Sequence, residues 1–217
     1  MNRIVTPEIL DTLKPNDPAA LANRRDLILY NNLMGNFRWM ANVLSRETSA
    51  NSIIELGAGD GSMGLYLLNH GILSEASQYT GVDLIERPDS WPDSWEWKQQ
   101  DLREIIFDGP ANTLIANLIL HQFEVGDLIN LGKLINQSRI NRLFICEPSR
   151  KNYHTWQVSL TRLLRIHPVT LHDAKVSVLA GFRKSEVTDL MRLSTSQWDV
   201  RWEETFLGAN RLVCRRK

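Results

Sequence analysis

The feature that most constrains the fold is a glycine-rich loop after a short apolar run, SIIELGAGDGSMG at residues 52–64. Ile53, Ile54 and Leu56 predict a buried strand, and the residues from Ser62 onward predict a helix. A strand, a glycine loop and a helix in this order bring backbone N–H groups and the positive end of a helix dipole to one place. The chain is therefore predicted to bind a polar ligand across this loop.

Two nucleotide-type ligands fit such a loop, and the neighbouring residues favour one of them. The fingerprint for a dinucleotide such as NAD begins directly after the strand, and its third glycine position is then occupied by Ser62. A shifted register restores all three glycines but detaches the loop from the strand. Glu55, two residues before the first glycine, suits a cationic ligand and is a poor neighbour for a pyrophosphate. The sequence thus favours a cationic nucleoside.

The residues Glu55, Gly57, Gly59 and Gly61 resemble motif I of the class I S-adenosylmethionine-dependent methyltransferases. Later stretches are similar to a bacterial subgroup found beside polyketide synthase genes. The resemblance runs from about Asn32 to the C-terminus. It implies a doubly wound, mostly parallel, seven-stranded α/β sheet that ends in an antiparallel hairpin, and O-methylation of a small phenolic or polyketide-derived acceptor. The later stretches are ANLILHQF (116–123), CEPSR (146–150), HDA (172–174) and AGF (180–182).

The cofactor residues come from the ends of four predicted strands. Asp83 follows the glycines by about 20 positions and suits the ribose hydroxyls. The resemblance places Asp101 at the adenine amine, although an Asp at this position also suits the cap of a helical turn. It places Asn117 at the methionine part. The predicted cofactor residues are Glu55, Gly57, Ala58, Gly59, Gly61, Asp83, Leu84, Asp101, Leu102, Asn117 and Leu118.

The predicted catalytic residues are His121 and Glu147, which follow the fourth and fifth strands. An imidazole titrates near neutral pH, so His121 is a candidate to take a proton from a phenol. Glu147 is a candidate pocket carboxylate or second base. Two alternatives stay open: His121 packs on the cleft wall while proximity alone drives methyl transfer, and Glu147 is an ordinary loop acid.

The N-terminal region predicts one longer helix from Pro18 to about Arg46, and Gly35 is the candidate position for a break or kink in it. In the family, such a segment packs over the cofactor cleft. Residues 1–48 are therefore assigned to a helical segment that covers the active site, and residues 49–217 to the S-adenosylmethionine-binding domain. Segment 167–182 is predicted to line the cleft. The predicted substrate-binding residues are Asn32, Phe37, His121 and His172.

Helical periodicity also predicts which side chains point inward. The first helix carries an apolar stripe that includes Leu21, Ile28 and Leu33. A single helix over 149–165 is predicted to turn its large apolar side chains toward the core, namely Trp156, Leu160, Leu163 and Leu164.

Composition limits the partners. The net charge is zero with 25 basic and 25 acidic residues, which disfavours nucleic acid and membrane surfaces as partners. The two cysteines lie in apolar runs and predict buried thiols, and no His, Cys and carboxylate spacing predicts a metal. The sequence shows no signal peptide or membrane span, so a cytoplasmic monomer or homodimer is predicted. The alternatives are an NAD(P)-dependent oxidoreductase and a non-catalytic S-adenosylmethionine-binding or scaffold protein.

Overall fold

The computed structural model describes residues 1–14, 16–47 and 52–217, and these form one seven-stranded sheet with helices on both faces. The boundary predicted between residues 48 and 49 lies outside the described residues. The strands are β1 Ser52–Leu56, β2 Gln78–Asp83, β3 Glu96–Gln99, β4 Thr113–Asn117, β5 Arg142–Pro148, β6 Trp198–Glu204 and β7 Ala209–Arg216.

The sheet order is β3-β2-β1-β4-β5-β7-β6. The first five strands of this order pair in parallel, whereas β7 is antiparallel to both of its neighbours, β5 and β6. The predicted fold class, a mostly parallel sheet closed by an antiparallel hairpin, is therefore confirmed. Because β1 and β4 lie side by side and connect in opposite directions, their carboxyl ends form the crevice in which such sheets bind ligands.

In the described part of the chain, seven α-helices surround the sheet: α1 Pro18–Met34, α2 Asn36–Leu44, α3 Ser62–Asn69, α4 Val125–Gln137, α5 Asn152–Leu160, α6 Pro168–Ala180 and α7 Glu186–Leu190. Short 3-10 helices occur there as well, at Leu10–Thr12, Leu102–Glu104, Leu120–Gln122 and Thr161–Leu164.

Alternation along the central strands sorts their side chains into two cores. Ile54 and Leu56 of β1 pack with α4 and α7 side chains, and Ile53 packs on the other face with α2 and α3 side chains. Glu55 has the same parity as Ile53, because successive side chains of a strand point to opposite faces. This places an acidic side chain inside an otherwise apolar layer.

The break between the first two helices falls where the sequence predicts it. The Asp17 side chain accepts a hydrogen bond of 2.8 Å from the Ala19 N–H, and Pro18 occupies the first helical position. Gly35 ends α1 with φ +71°, a left-handed conformation that glycine adopts without steric cost. The chain then turns directly into α2.

The predictions of inward-facing side chains were wrong for two helical regions. In α1 the buried residues include Asn23 and Asp26, whereas Leu21 is 54% exposed. Residues 149–165 form α5 and a 3-10 helix, and Trp156 is 65% and Leu163 84% exposed. The prediction of an inward apolar face assumes that the helix packs against the apolar surface of the sheet. These elements instead cover the carboxyl edge of the sheet, where polar side chains collect.

The two cysteines, Cys146 and Cys214, are buried free thiols, as predicted. Burial raises the pKa of each thiol to about 12, so both are unreactive at neutral pH. Within the described ranges, none of the helices is long and apolar enough to cross a bilayer.

A glycine pair in α4 tests the packing of this helix on α7. A Cβ added at Gly132 would lie 1.9 Å from the carbonyl oxygen of Met191, whereas a Cβ at Gly126 meets nothing within 4 Å. We expect Gly132→Ala to lower the free energy of unfolding by about 3 kcal/mol or more, because backbone must move. Gly126→Ala should raise it by roughly 0.5 to 1 kcal/mol through helix propensity. Urea unfolding of both variants measures this, and equal effects would contradict the packing.

Candidate active site

A cavity of about 810 Å³ opens at the carboxyl ends of the strands, between the glycine loop and the N-terminal cover. The cover consists of residues 5–13 and parts of α1, α5 and α6. Of the predicted cofactor residues, those that line the cavity are Glu55, Gly57, Ala58, Gly59, Asp83, Leu84, Asp101, Leu102, Asn117 and Leu118. Gly61 does not line the cavity, because it packs under Trp91. The Cε3 atom of Trp91 would lie 2.9 Å from a Cβ added at Gly61.

The glycine loop is fixed to the neighbouring strand by backbone hydrogen bonds. The N–H groups of Gly57 and Ala58 donate to the carbonyl of Val82, at 2.9 and 3.2 Å. Gly57, with φ +67°, has no room for a side chain, since a Cβ would lie 2.5 Å from Cγ1 of Ile119. At Gly59, with φ +56°, a Cβ would meet no described atom within 4 Å. The loop thus leaves open space above Gly59.

Two carboxylates, one at the end of β2 and one after β3, line the cavity near the glycine loop. Asp83 accepts from the Gly59 N–H at 2.8 Å and from the Ile85 N–H at 3.2 Å, which fixes its orientation beside the loop. Asp101 accepts from the Arg103 N–H at 2.8 Å and caps the following 3-10 turn. Asp101 therefore serves as a cap and also lines the cavity.

Glu55 is the most deeply buried acid at the cofactor end, with 2% of its surface exposed. The Tyr79 hydroxyl donates to its carboxylate at 2.6 Å. Burial raises the pKa of Glu55 to about 8, against the opposing effect of the Tyr79 hydrogen bond. Without a cation nearby, Glu55 is thus mostly protonated at neutral pH, and a bound cation would favour its ionised form.

His121 lines the cavity with both ring nitrogens engaged by carboxylates. Its Nδ1 lies 2.8 Å from Oε2 of Glu147, and its Nε2 lies 3.3 Å from Oε1 of Glu8. Burial lowers the pKa of His121, but the hydrogen bonds and charges of Glu147 and Glu8 outweigh it and raise the pKa to about 9. In this state His121 is an imidazolium at neutral pH and has no lone pair for an acceptor's proton.

Glu147 is fully buried and lies outside the cavity. Besides the His121 ring, its carboxylate accepts from the backbone N–H groups of Ile119 at 3.0 Å, Leu120 at 2.8 Å and His121 at 3.2 Å. Its predicted role as a base stays a prediction, which this geometry does not favour. Through these contacts, Glu147 instead fixes the loop that carries His121 at the end of β4.

The cover brings in acidic residues that sequence reasoning missed. Glu8 and Asp11 line the cavity, and Glu8 accepts from Gln122 Nε2 at 3.3 Å and from the Ser177 hydroxyl. Burial raises the pKa of Glu8, but its hydrogen bonds to His121, Ser177 and Gln122 together lower it below the ordinary value. No sequence signal could have found Glu8, because its partner His121 is 113 residues away.

Two of the predicted substrate residues do not line the cavity. Asn32 is exposed on α1, and the preceding residue, Asn31, lines the cavity instead. The His172 side chain is 52% exposed and pairs with Asp173 at 3.0 Å. Helical geometry explains both, since neighbouring positions on a helix point about 100° apart. Phe37 is buried and lines the cavity.

A chain of amides connects α1 to the end of β4. The Oδ1 atom of Asn31 accepts from Asn117 Nδ2 at 3.0 Å and from Asn36 Nδ2 at 3.1 Å. These bonds fix the Asn117 amide at the mouth of the glycine loop and join the cover to the cofactor end. Among the described residues, no group of three or more His, Cys, Asp or Glu side chains could hold a metal ion.

The fold is similar to the folds of solved methyltransferases. The plantazolicin methyltransferase BpumL in complex with SAH is 12% identical, with a TM-score of 0.67 over 93% of this chain and 91% of that one. The mitomycin 7-O-methyltransferase MmcR is 21% identical, with a TM-score of 0.57 over 96% and 60%. Human N-acetylserotonin methyltransferase in complex with SAM is 13% identical, with a TM-score of 0.59 over 95% and 61%.

No protein-family model matches the chain, and no curated protein sequence is significantly similar to it. At the identities above, the structural likeness shows the fold. The chain has the fold of the class I S-adenosylmethionine-dependent methyltransferases, as the resemblance predicted. It spans about three fifths of the length of MmcR and of the human enzyme.

The raised pKa of Glu55 predicts how stability depends on pH. The folded state holds the Glu55 proton more tightly than the unfolded state, whose pKa is near 4.5. The stabilisation that the protonated Glu55 side chain gives the folded state is therefore lost as the pH rises through about 8. We expect Glu55→Gln to gain stability relative to the wild type between about pH 5 and pH 9, on the order of a few kcal/mol.

Urea unfolding at the two pH values measures this difference. The exposed Glu75 provides a control, because Glu75→Gln removes a carboxylate that is already in water. A Glu55→Gln variant whose stability changes with pH as the wild type does would contradict the buried, protonated state.

Proposed function

We propose that the protein is an S-adenosylmethionine-dependent methyltransferase that methylates an oxygen of a small phenolic or polyketide-derived acceptor. One observation carries the proposal: the acidic side chains of Glu55, Asp83 and Asp101 line the same cavity as the glycine loop, which leaves open space at Gly59. Acidic groups beside a glycine loop suit a cationic ligand with ribose hydroxyls and an adenine amine, and the Asp83 and Asp101 carboxylates repel a pyrophosphate.

The residues at the loop fit S-adenosylmethionine, each through its own chemistry. The Asp83 carboxylate would accept from the ribose hydroxyls and Asp101 from the adenine amine, with Leu102 against the ring. The Glu55 carboxylate would compensate positive charge at the methionine end, where Asn117 and Leu118 also lie. Bound in this way, S-adenosylmethionine supplies an electrophilic methyl group on a sulfonium.

The cover forms the acceptor half of the cavity. Phe37, Leu27 and Val178 line it with apolar surface, and Tyr30 and Ser177 add hydroxyl groups. An aromatic acceptor would lose water on entering this half, and its hydroxyl would be held beside His121. Positioning and exclusion of water are the main rate contributions available here. The names of the similar structures, a plantazolicin and a mitomycin methyltransferase, agree with a natural-product acceptor.

The proposal includes roles that follow from this division of the cavity. Residues 1–48 are proposed as an N-terminal helical segment that covers the cleft, and residues 49–217 as the cofactor-binding domain. His121 is the candidate base, provided that it first loses its extra proton. The enzyme is proposed to work in the cytoplasm as a monomer or homodimer, on a small molecule rather than on nucleic acid.

Two other functions compete with this proposal. An NAD(P)-dependent oxidoreductase is disfavoured by the acidic surroundings of the loop and by the antiparallel β7, since the NAD-binding fold is parallel throughout. A non-catalytic S-adenosylmethionine-binding scaffold would keep the cofactor site without turnover. The two experiments that follow separate these functions.

Cofactor binding is tested with two glycines that differ only in location. Gly59 and Gly71 both have positive φ, +56° and +68°, and a Cβ at either would meet no described atom within 4 Å. Each Ala variant should lose about 1 to 2 kcal/mol of stability to backbone strain. Because only Gly59 lines the cavity, we expect Gly59→Ala alone to weaken SAH binding, by about tenfold or more, equivalent to about 1.4 kcal/mol.

Isothermal titration calorimetry with SAH, and separately with NAD, measures the affinities. Tight SAH binding that is equal in Gly59→Ala and Gly71→Ala would place the cofactor elsewhere. Binding of NAD without SAH binding would support the oxidoreductase instead.

Turnover is tested by incubating the protein with S-adenosylmethionine and a panel of substituted phenols. We expect mass spectrometry to show a gain of one methyl group on at least one phenol, with formation of SAH. A protein that binds SAH but methylates none of the phenols, and none of a matched panel of anilines, would be assigned to the scaffold class.

A further inference from the structure

The two carboxylates that hold His121 differ in how firmly they are fixed. Glu147 is locked behind the ring by three backbone N–H groups and by Nδ1 at 2.8 Å. Glu8 lies on the cavity side, where the Ser177 hydroxyl donates to it at 2.5 Å. Its distances to His121 Nε2 and Gln122 Nε2 are both 3.3 Å, at the long end of the hydrogen-bond range. The contact at Nε2 is therefore the weaker of the two.

The segment that carries Glu8 is anchored without it. On one side, the Arg3 guanidinium donates to the carbonyls of Ala180 at 2.8 Å, His121 at 2.8 Å and Phe123 at 2.7 Å. On the other side, the N–H groups of Ile9 and Leu10 donate to Asp173 at 2.9 and 3.0 Å. The Glu8 side chain can consequently leave His121 while the backbone on both sides keeps its contacts.

The geometry points to Glu8 as a positioning residue that acts through His121: it occupies Nε2 while the acceptor half is empty, and the acceptor's hydroxyl replaces it in the reactive complex. This inference rests on the proposed function. It explains how a histidine already bonded at both ring nitrogens would become a base, and it gives a role to the N-terminal segment, which lies outside the methyltransferase sheet.

The charges around His121 determine the consequence of the exchange. Glu147 faces the ring from β5, Glu8 and Asp11 face it from the N-terminal segment, and Arg3 binds its backbone carbonyl. On the α6 side, the uncharged Ser177 hydroxyl donates a hydrogen bond to Glu8, which in turn contacts the ring. Replacing Glu8 by a neutral hydroxyl removes one of the two anions in contact with the imidazolium, so the pKa of His121 falls toward its ordinary value.

The proton balance closes in two steps. On exchange, the Nε2 proton leaves with the Glu8 carboxylate and passes to water, which leaves a neutral imidazole with its lone pair toward the acceptor. In the reaction, the acceptor oxygen bonds to the methyl carbon, its proton moves to Nε2, and sulfur keeps the electron pair of the broken C–S bond. Acceptor binding thus releases one proton, and methyl transfer returns one to His121.

The test follows the titration of His121 by NMR in the SAH complex, using its Cε1–H signal assigned with a His121→Gln variant. We expect a wild-type midpoint of about 9. Glu8→Gln should lower the midpoint by about one unit or more, a tenfold change in the ionisation constant. Asp11→Asn, which removes a carboxylate from the same segment without a hydrogen bond to the ring, should shift it much less. If Glu8→Gln does not fold, Glu8→Asp, which shortens the side chain, replaces it.

Phenol at millimolar concentration is the probe for the exchange itself. It should lower the His121 midpoint in the wild type and have little further effect in Glu8→Gln. Where methyl transfer is measurable, kcat/KM of Glu8→Gln near pH 7 should rise by about tenfold, because more of the imidazole is neutral. An unchanged midpoint in Glu8→Gln, no response of the wild type to phenol, or lower activity of the variant at every pH would overturn the inference.

The two proposals fail in different ways. A protein that does not bind SAH, or that makes no methylated product, contradicts the proposed function. The His121 titration of Glu8→Gln, repeated without SAH, still reports the Glu8 contact in that case.

Discussion

The active-site half of this molecule depends on one buried charge, the carboxylate of Glu147. A carboxylate without water is costly, and here four N–H groups compensate it, three from the backbone of the loop after β4 and one from the His121 ring. The same bonds force that loop across the end of β5 and aim His121 into the cavity. Removing the charge would release both the loop and the histidine that it orients.

Buried polar groups also need hydrogen-bond partners where the cover meets the sheet. Because polar side chains collect at the carboxyl edge of a parallel sheet, the helices that close this edge must present polar groups to it. The amide chain from Asn36 through Asn31 to Asn117 does so on the α1 side. On the other side, Asp173 of α6 holds the N-terminal backbone. The cover is thus joined to the cofactor end by hydrogen bonds rather than by an apolar core, and some apolar side chains, such as Leu21 of α1 and Trp156 of α5, are left facing outward.

The sequence predicted which residues line the cavity better around the glycine loop than around the cover, for a physical reason. The glycine loop, Asp83 and Asp101 belong to local units, a strand followed by its own turn, so that spacing along the chain fixes their place in space. Glu8 meets both His121 and Ser177 only because three distant segments pack together. Asn31 and Asn32 are consecutive residues, yet only the packing of α1 determines which of them faces the cavity.

The resemblance to a known family implied the mostly parallel sheet, and the sequence by itself determined the glycine loop with its acid, the break at Gly35 and the hairpin of β6 and β7. Each of these depends on backbone conformation or on alternation within a few residues. The tertiary structure alone decided the inner face of α1, the protonation of His121 and the presence of Glu8 in the cavity. Those depend on burial and on charges brought together across more than a hundred residues, and local periodicity carries no information about either.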